Sequence, residues 1–134
     1  MSNKYQHLPL VYSCSGCSSA GQMANYIALE LDRREVAEMS CIAGVGGDVP
    51  HLVRIALSAR PILAIDGCPF ECVKSSLEKS GLTPSKHVRL HHKGVKKRYH
   101  AGFNQEDAER ILEGVIVLAQ SLSESPESAL NALN

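Results

Sequence analysis

Five cysteines, Cys14, Cys17, Cys41, Cys68 and Cys72, are the residues of this 134-residue chain best suited to chemistry. Four of them fall in two close pairs, Cys14-x-x-Cys17 and Cys68-x-x-x-Cys72. Thiolates bind thiophilic metals, exchange with disulfides and attack electrophiles, so the set admits three chemistries. Zinc takes four ligands, often sulfurs at about 2.3 Å. The first pair can supply two, and residues four apart on one helix face can supply two more, with Cys41 as a fifth candidate or a replacement for Cys17. The spacing is not that of a zinc finger or ribbon. An iron–sulfur cluster would also accept four cysteines. The odd count argues against a disulfide framework, and clustered cysteines in a reducing cytoplasm read as metal-binding or catalytic. A single cysteine is commonly an ordinary buried hydrophobe; that reading is the weaker one for two pairs and a single.

Rival chemistries leave other signatures. A phosphatase or arsenate-reductase loop needs an Arg six residues after its Cys, but those positions hold Ala20 and Met23. A thioredoxin-like redox site would use Cys14 and Cys17 at a helix start and leave three cysteines to explain. No hydrolytic triad is visible, and Ser18 and Ser19 read as helix caps or loop hydrogen-bonders. The segment 44–47, Gly-Val-Gly-Gly, matches neither the Rossmann fingerprint nor the P-loop and reads as a turn beside the site. Residues 87–100 carry His87, His91, His92 and His100 with Arg89, Lys93, Lys96, Lys97 and Arg98, and no acid. The plain reading is a solvated basic loop; the sharper one lays it over the cysteines, stabilising thiolates or binding an anion. His91 or His92 would be an auxiliary ligand, although a lone histidine is more often structural. Tyr99 and Phe103 alone could stack on bases, so no nucleic-acid role is expected.

The elements that must position these residues follow from hydrophobic periodicity. Residues 8–12 read as a strand and 20–34 as a helix with Met23, Ala24, Ile27, Ala28 and Leu31 on one face. A second strand is expected over 36–42, then the glycine loop, then a helix capped by Asp48 and carrying Leu52, Val53 and Ala56. The unbroken apolar run 61–65 suits a strand buried on both faces. Asp66-Gly67 turns the chain, Pro69 opens a helix that stops near Gly81, and 86–92 forms a fourth strand. The last helix opens at 104–107 and carries Ile111, Leu112 and Val115.

Alternating strands and helices imply an α/β fold, a four-stranded parallel sheet in order 2-1-3-4 with a Rossmann-like or flavodoxin-like three-layer build. In such a sheet all strands end at one edge. Strand one lies between strands two and three, so all five sulfurs converge on the crevice where open sheets place ligands. Cys17 and Cys68 fall just before or at helix starts, where the helix dipole favours thiolate.

Length and composition fit one domain over residues 1–120, with a Ser/Glu-rich tail, 121–134, expected to fray. Hydrophobic residues make up 44% and formal net charge is zero. Charge therefore points to neither nucleic acid nor an anionic membrane. No apolar run approaches the ~18 residues of a spanning helix, and the start lacks a secretory hydrophobic core. A cytoplasmic protein that stores, senses or transfers a thiophilic metal ion is the expectation, leaning away from an enzyme. The alternative is a thiol-disulfide oxidoreductase using the same cysteines. The metal ion is the expected partner, and a protein partner is left open.

Three segments together, 14–25 (Cys-Ser-Gly-Cys-Ser-Ser-Ala-Gly-Gln-Met-Ala-Asn), 41–47 (Cys-Ile-Ala-Gly-Val-Gly-Gly) and 65–72 (Ile-Asp-Gly-Cys-Pro-Phe-Glu-Cys), resemble the DGC-domain family of zinc-binding proteins, named after an Asp-Gly-Cys motif. The resemblance spans residues 10–97. It implies four chelating cysteines and a zinc site, carried over most directly to Cys14, Cys41, Cys68 and Cys72. The position of Cys17 can hold a small residue in that family, so it ranks last. Asp66 would be a turn residue or an outer partner of the site, with the turn favoured. Gly67 would allow the backbone to come close to the site.

Overall fold

The computed structural model describes residues 3–123. Its sheet has four parallel strands in the order β2-β1-β3-β4, as expected. The strands are β1 (Leu10–Ser13), β2 (Glu38–Met39), β3 (Ile62–Asp66) and β4 (Lys86–Arg89). Five helices connect and cover them: α1 (Ser19–Arg33), α2 (Ile42–Gly46), α3 (Pro50–Ala56), α4 (Cys72–Lys79) and α5 (Gln105–Ser123).

Side-chain alternation along the two central strands divides the interior into two layers. Val11, Leu63, Ile65 and Val88 pack with Met23, Ile27 and Leu31 of α1 and with Ile111, Leu112 and Val115 of α5. Leu10, Tyr12, Ile62 and Ala64 face the other way, onto Val45 of α2, Ala56 of α3 and Val73 and Leu77 of α4. Every residue of β1 and β3 is buried, which is why their sequences read as continuous apolar runs rather than alternating ones.

Five features differ from the sequence expectations. β2 is only two residues long. The Ser40 N–H still reaches the Val11 carbonyl at 3.2 Å, but Cys41 then becomes the residue preceding α2. The expected glycine turn is mostly that helix. A Cβ on Gly44 would collide with the Leu52 side chain of α3, so this glycine serves close helix packing. Asp48 does not cap α3; Val49 holds that place and Pro50 the first helical position, while Asp48 has φ 58° and pairs with Lys79 at 2.9 Å. β4 stops at Arg89 and passes into a 3-10 turn, Leu90–Lys93, that Gly94 ends with φ 81°. The fifth difference, the late start of α4, bears on the site and is described with it.

α5 starts as expected: the Asn104 side-chain oxygen accepts the Asp107 N–H at 2.9 Å. Residues 124–134, the rest of the expected tail, lie outside the described residues. Among those described, no helix is long and apolar enough to cross a membrane.

Leu63 is wholly buried in the centre of the sheet and packs into the α1–α5 layer. Leu63→Ala should lower unfolding free energy by roughly 2–5 kcal/mol, the range for a core leucine truncation, as read by urea denaturation.

Candidate metal centre

The site begins where β1 and β3 run side by side and end together. Their register pairs Ser13 with Ile65, and the Cys14 N–H extends the ladder to the Ile65 carbonyl at 3.1 Å. Gly67 follows at the end of β3. A Cβ there would overlap the Ala20 carbonyl and stand 2.8 Å from the Gly21 nitrogen. The loop after β3 therefore rests directly on the first turn of α1, the close approach expected of this glycine. From that seat the Gly67 N–H donates to Cys14 Sγ at 3.1 Å. Ser18 caps α1 by accepting the Gly21 N–H at 3.0 Å.

This contact sets the two cysteine pairs against each other. Cys14, Cys17, Cys68 and Cys72 all line one cavity of about 200 Å³. Cys14 and Cys68 are partly buried, and Cys17 and Cys72 are exposed. Cys41 is not among the lining residues. It is exposed at the start of α2, with the buried Tyr12 within electrostatic range. The cavity thus contains Cys17, which ranked last, in place of Cys41. As the chain stands, no three His, Cys, Asp or Glu side chains among the described residues are grouped tightly enough to hold a metal ion.

Burial pushes the Cys14 thiol up to about 11. The Gly67 N–H works against that shift, while negative charge at Asp66, Cys68 and Cys72 adds to it. These sulfurs are close enough to repel one another when ionised, and a cation among them would relieve the repulsion.

Asp66 is neither an exposed turn residue nor a lining group alone. It ends β3, is 1% exposed, and turns its carboxylate under α4. Oδ1 accepts the Val73 N–H at 2.9 Å and Oδ2 the Lys74 N–H at 3.2 Å. These bonds explain the late start of α4: a carboxylate from the strand satisfies its first N–H groups, as the helix N-terminus favours. Pro69 and Phe70 consequently lie before the helix, with Glu71 left-handed at φ 50°. Cys68 sits in the preceding turn, not at a helix start, and Cys72 takes the first helical position.

His87 and Arg89 complete this support and were missed in the sequence, where they read as part of a basic loop. His87 Nε2 lies 2.7 Å from Asp66 Oδ2, and Arg89 Nε donates to Glu71 Oε1 at 3.1 Å. Arg89 holds the Glu71 carboxyl below its ordinary range, chiefly through this hydrogen bond. The signal available was register: with β4 beside β3, His87 pairs with Ala64 and Arg89 with Asp66, on the Asp66 face.

The rest of the basic segment divides between the two readings. Ser19 grips its backbone, donating N–H to the Arg98 carbonyl at 2.8 Å and accepting the Arg98 N–H at 3.0 Å. Tyr99 bridges Ser18 in antiparallel fashion. Lys97 and Tyr99 are thereby brought to the cavity, with Phe70 opposite. Lys97 Nζ lies 4.1 Å from the Phe70 ring centre and 5.1 Å from that of Tyr99. Its ammonium is held protonated above the usual lysine range, first by the Tyr99 hydroxyl and further by the Cys68 sulfur, against the opposing effect of burial. Lys93, Lys96 and His100 are exposed, as a solvated loop would be. His91 and His92 stack edge to face in the 3-10 turn and do not line the cavity.

Two outcomes follow from this geometry. Cys14 should alkylate more slowly than Cys17 and Cys72 at neutral pH, and its rate should climb with pH up to about 11, where its thiolate becomes the main form; peptide mass spectrometry after timed labelling reads both. Gly67→Ala should cost about 1–3 kcal/mol through overpacking against α1 and should speed alkylation of Cys14 as the loop lifts.

Residues 10–115 match the DGC domain. The chain is 60% identical over 104 residues to the "Anaerobic and virulence modulator AnvM" of Pseudomonas aeruginosa, an alignment covering 78% of this chain and 79% of that protein. No solved structure shows significant similarity. Asp66-Gly67-Cys68, the stretch that seats the loop on α1, supplies the capping carboxylate and opens the cavity, is the motif for which the domain is named, and the chain belongs to the DGC-domain family.

Proposed function

We propose that this protein binds a thiophilic metal ion, zinc first, at the cysteine cavity, and that it senses or transfers that ion. The observation that carries the reading is that four thiols from two separated stretches of sequence line one cavity. The donors suit zinc, which prefers sulfur and nitrogen ligands. Cys14, Cys17, Cys68 and Cys72 would hold the ion, with Cys41 the alternative to Cys17. A bound dication would supply the positive charge that lets several thiolates share so small a space.

The chain's own residues prepare for this. The Gly67 N–H points at Cys14 Sγ, a hydrogen bond of the kind that orients and stabilises a ligating sulfur. Asp66 and His87 fix the start of α4 and so the position of Cys72. Lys97 carries a positive charge beside Cys68 that offsets an excess of thiolate charge. Cys17 and Cys72 are exposed, which suits an ion that arrives and leaves more than one buried permanently. The relative's name, a modulator, favours sensing over storage. Free thiols of this number suit a reducing, cytoplasmic setting. An iron–sulfur cluster is the alternative occupant of the same sulfurs.

Elemental analysis and an absorption spectrum of freshly purified protein test the proposal. About one equivalent of zinc and no visible colour is expected, as for a single four-ligand site. Cys14→Ser and Cys68→Ser should each abolish retention, whereas Cys41→Ser should keep it if the cavity set is the ligand set. Metal below about one-tenth of an equivalent after anaerobic reconstitution would sink the idea, since a working site fills with its ion.

A further inference from the structure

The four cavity thiols are not alike. Cys14 is partly buried and its sulfur accepts the Gly67 N–H. Cys17 and Cys72 are exposed. Cys68 shares the cavity with the Lys97 ammonium, which lies 4.1 Å from the Phe70 ring centre and 5.1 Å from that of Tyr99. Two carboxylates line the cavity as well, but both are engaged. Asp66 holds the α4 backbone and His87, and Glu71 holds Arg89. Lys97, which lines the cavity with its ammonium between the Phe70 and Tyr99 rings, is therefore the cavity charge placed to meet an anionic ligand. Phe70 and Tyr99, 72% and 54% exposed, give that ligand's carbon skeleton an apolar rim.

We propose that the metal-free cavity carries out thiol–disulfide exchange with anionic low-molecular-weight disulfides: Lys97 holds a substrate carboxylate, Cys68 attacks, and Cys72 resolves. Cys68, its proton passed to solvent, attacks one sulfur of the disulfide. A Cys68–substrate S–S bond forms as the original S–S bond breaks, and the first thiolate leaves to take a proton from solvent. Cys72 then attacks the Cys68 sulfur, forming a Cys68–Cys72 disulfide and expelling the second thiolate. Two protein thiols are oxidised, and one disulfide is reduced to two small thiols.

Cys72 is the resolving partner because the chain folds back between the two. The Glu71 N–H closes a turn onto the Cys68 carbonyl at 3.1 Å, and Cys72 follows at the start of α4 on the same cavity. The turn precedes the helix, so linking these residues leaves the Asp66 bonds to Val73 and Lys74 in place. This activity uses sulfurs of the proposed metal site but does not depend on that site being occupied.

The test uses the full chain, reduced and treated with a chelator, and three disulfides of different charge: oxidised glutathione, neutral 2-hydroxyethyl disulfide and dicationic cystamine. Intact-mass and peptide analysis should show a Cys68–Cys72 disulfide in the native chain. Cys72→Ser should stop with one glutathione on Cys68. Glutathione disulfide should react about fivefold faster than cystamine, the effect of one exposed ion pair. Lys97→Gln, an exchange at the surface, should erase that preference without changing the unfolding midpoint. First attachment at another cysteine, an internal disulfide formed in the Cys72→Ser variant, or equal rates for the anionic and cationic disulfides would each overturn the proposal. Zinc content of the untreated protein is read separately, so retained zinc without exchange, or exchange without zinc, tells which of the two ideas has failed.

Discussion

The contact between Gly67 and the first turn of α1 is the constraint on which the site depends. β1 and β3 are hydrogen-bonded neighbours, so their ends emerge together, but emergence alone leaves two loops free to diverge. A residue without a side chain lets the second loop lie against the Ala20 carbonyl and the Gly21 nitrogen. The loop is then near enough for its backbone N–H to reach Cys14 Sγ. Any Cβ at this position would have to displace backbone, which does not yield as a flexible side chain does. The glycine thus brings the loop that carries Cys68 against the strand end that carries Cys14.

A second layer of interactions holds the far wall. α4 lacks a local side-chain cap and starts from a left-handed Glu71. The buried Asp66 carboxylate takes two of its first N–H groups, and His87 from the adjoining strand takes the remaining face of that carboxylate. Glu71 is in turn held by Arg89. Buried carboxylates are costly unless their oxygens are satisfied, and here each oxygen has a donor. The network ties the start of α4 to β3 and β4 together, so Cys72 is placed by the sheet rather than by its own loop.

The same arrangement gives the thiols different characters. Burial and mutual repulsion keep Cys14 protonated, whereas Cys68 has an ammonium beside it. A cavity that binds a soft cation and one that exchanges with disulfides need the same sulfurs, and what separates them is whether a metal is present. Cys41 lies on the opposite side of β1 from β3, at the end of the short edge strand β2. β2 ends at Met39 and the chain turns into α2 directly after Cys41, so no longer strand carries Cys41 to the cavity.

The apolar runs and helical stripes of the sequence were enough to determine the α/β class, the strand order and the shared edge to which the cysteine pairs belong. Those features are local in origin: periodicity follows from each element's own geometry, and parallel strands joined by right-handed crossovers leave few arrangements. The cysteines were legible as candidates from their residue type and pairing, and Asp66 and Gly67 from the resemblance to the DGC domain. Tertiary structure alone decided the rest. It placed Gly44 within a helix, with the Leu52 side chain of α3 packed close against it. It delayed α4, because the cap comes from a strand rather than from the preceding loop. It recruited His87 and Arg89 as supports and Lys97 as a wall, through register and through Ser19 gripping residues some eighty positions away. It also set Cys17, not Cys41, on the cavity. Each of these depends on which atoms meet across elements, and spacing along a single chain carries no record of such distances.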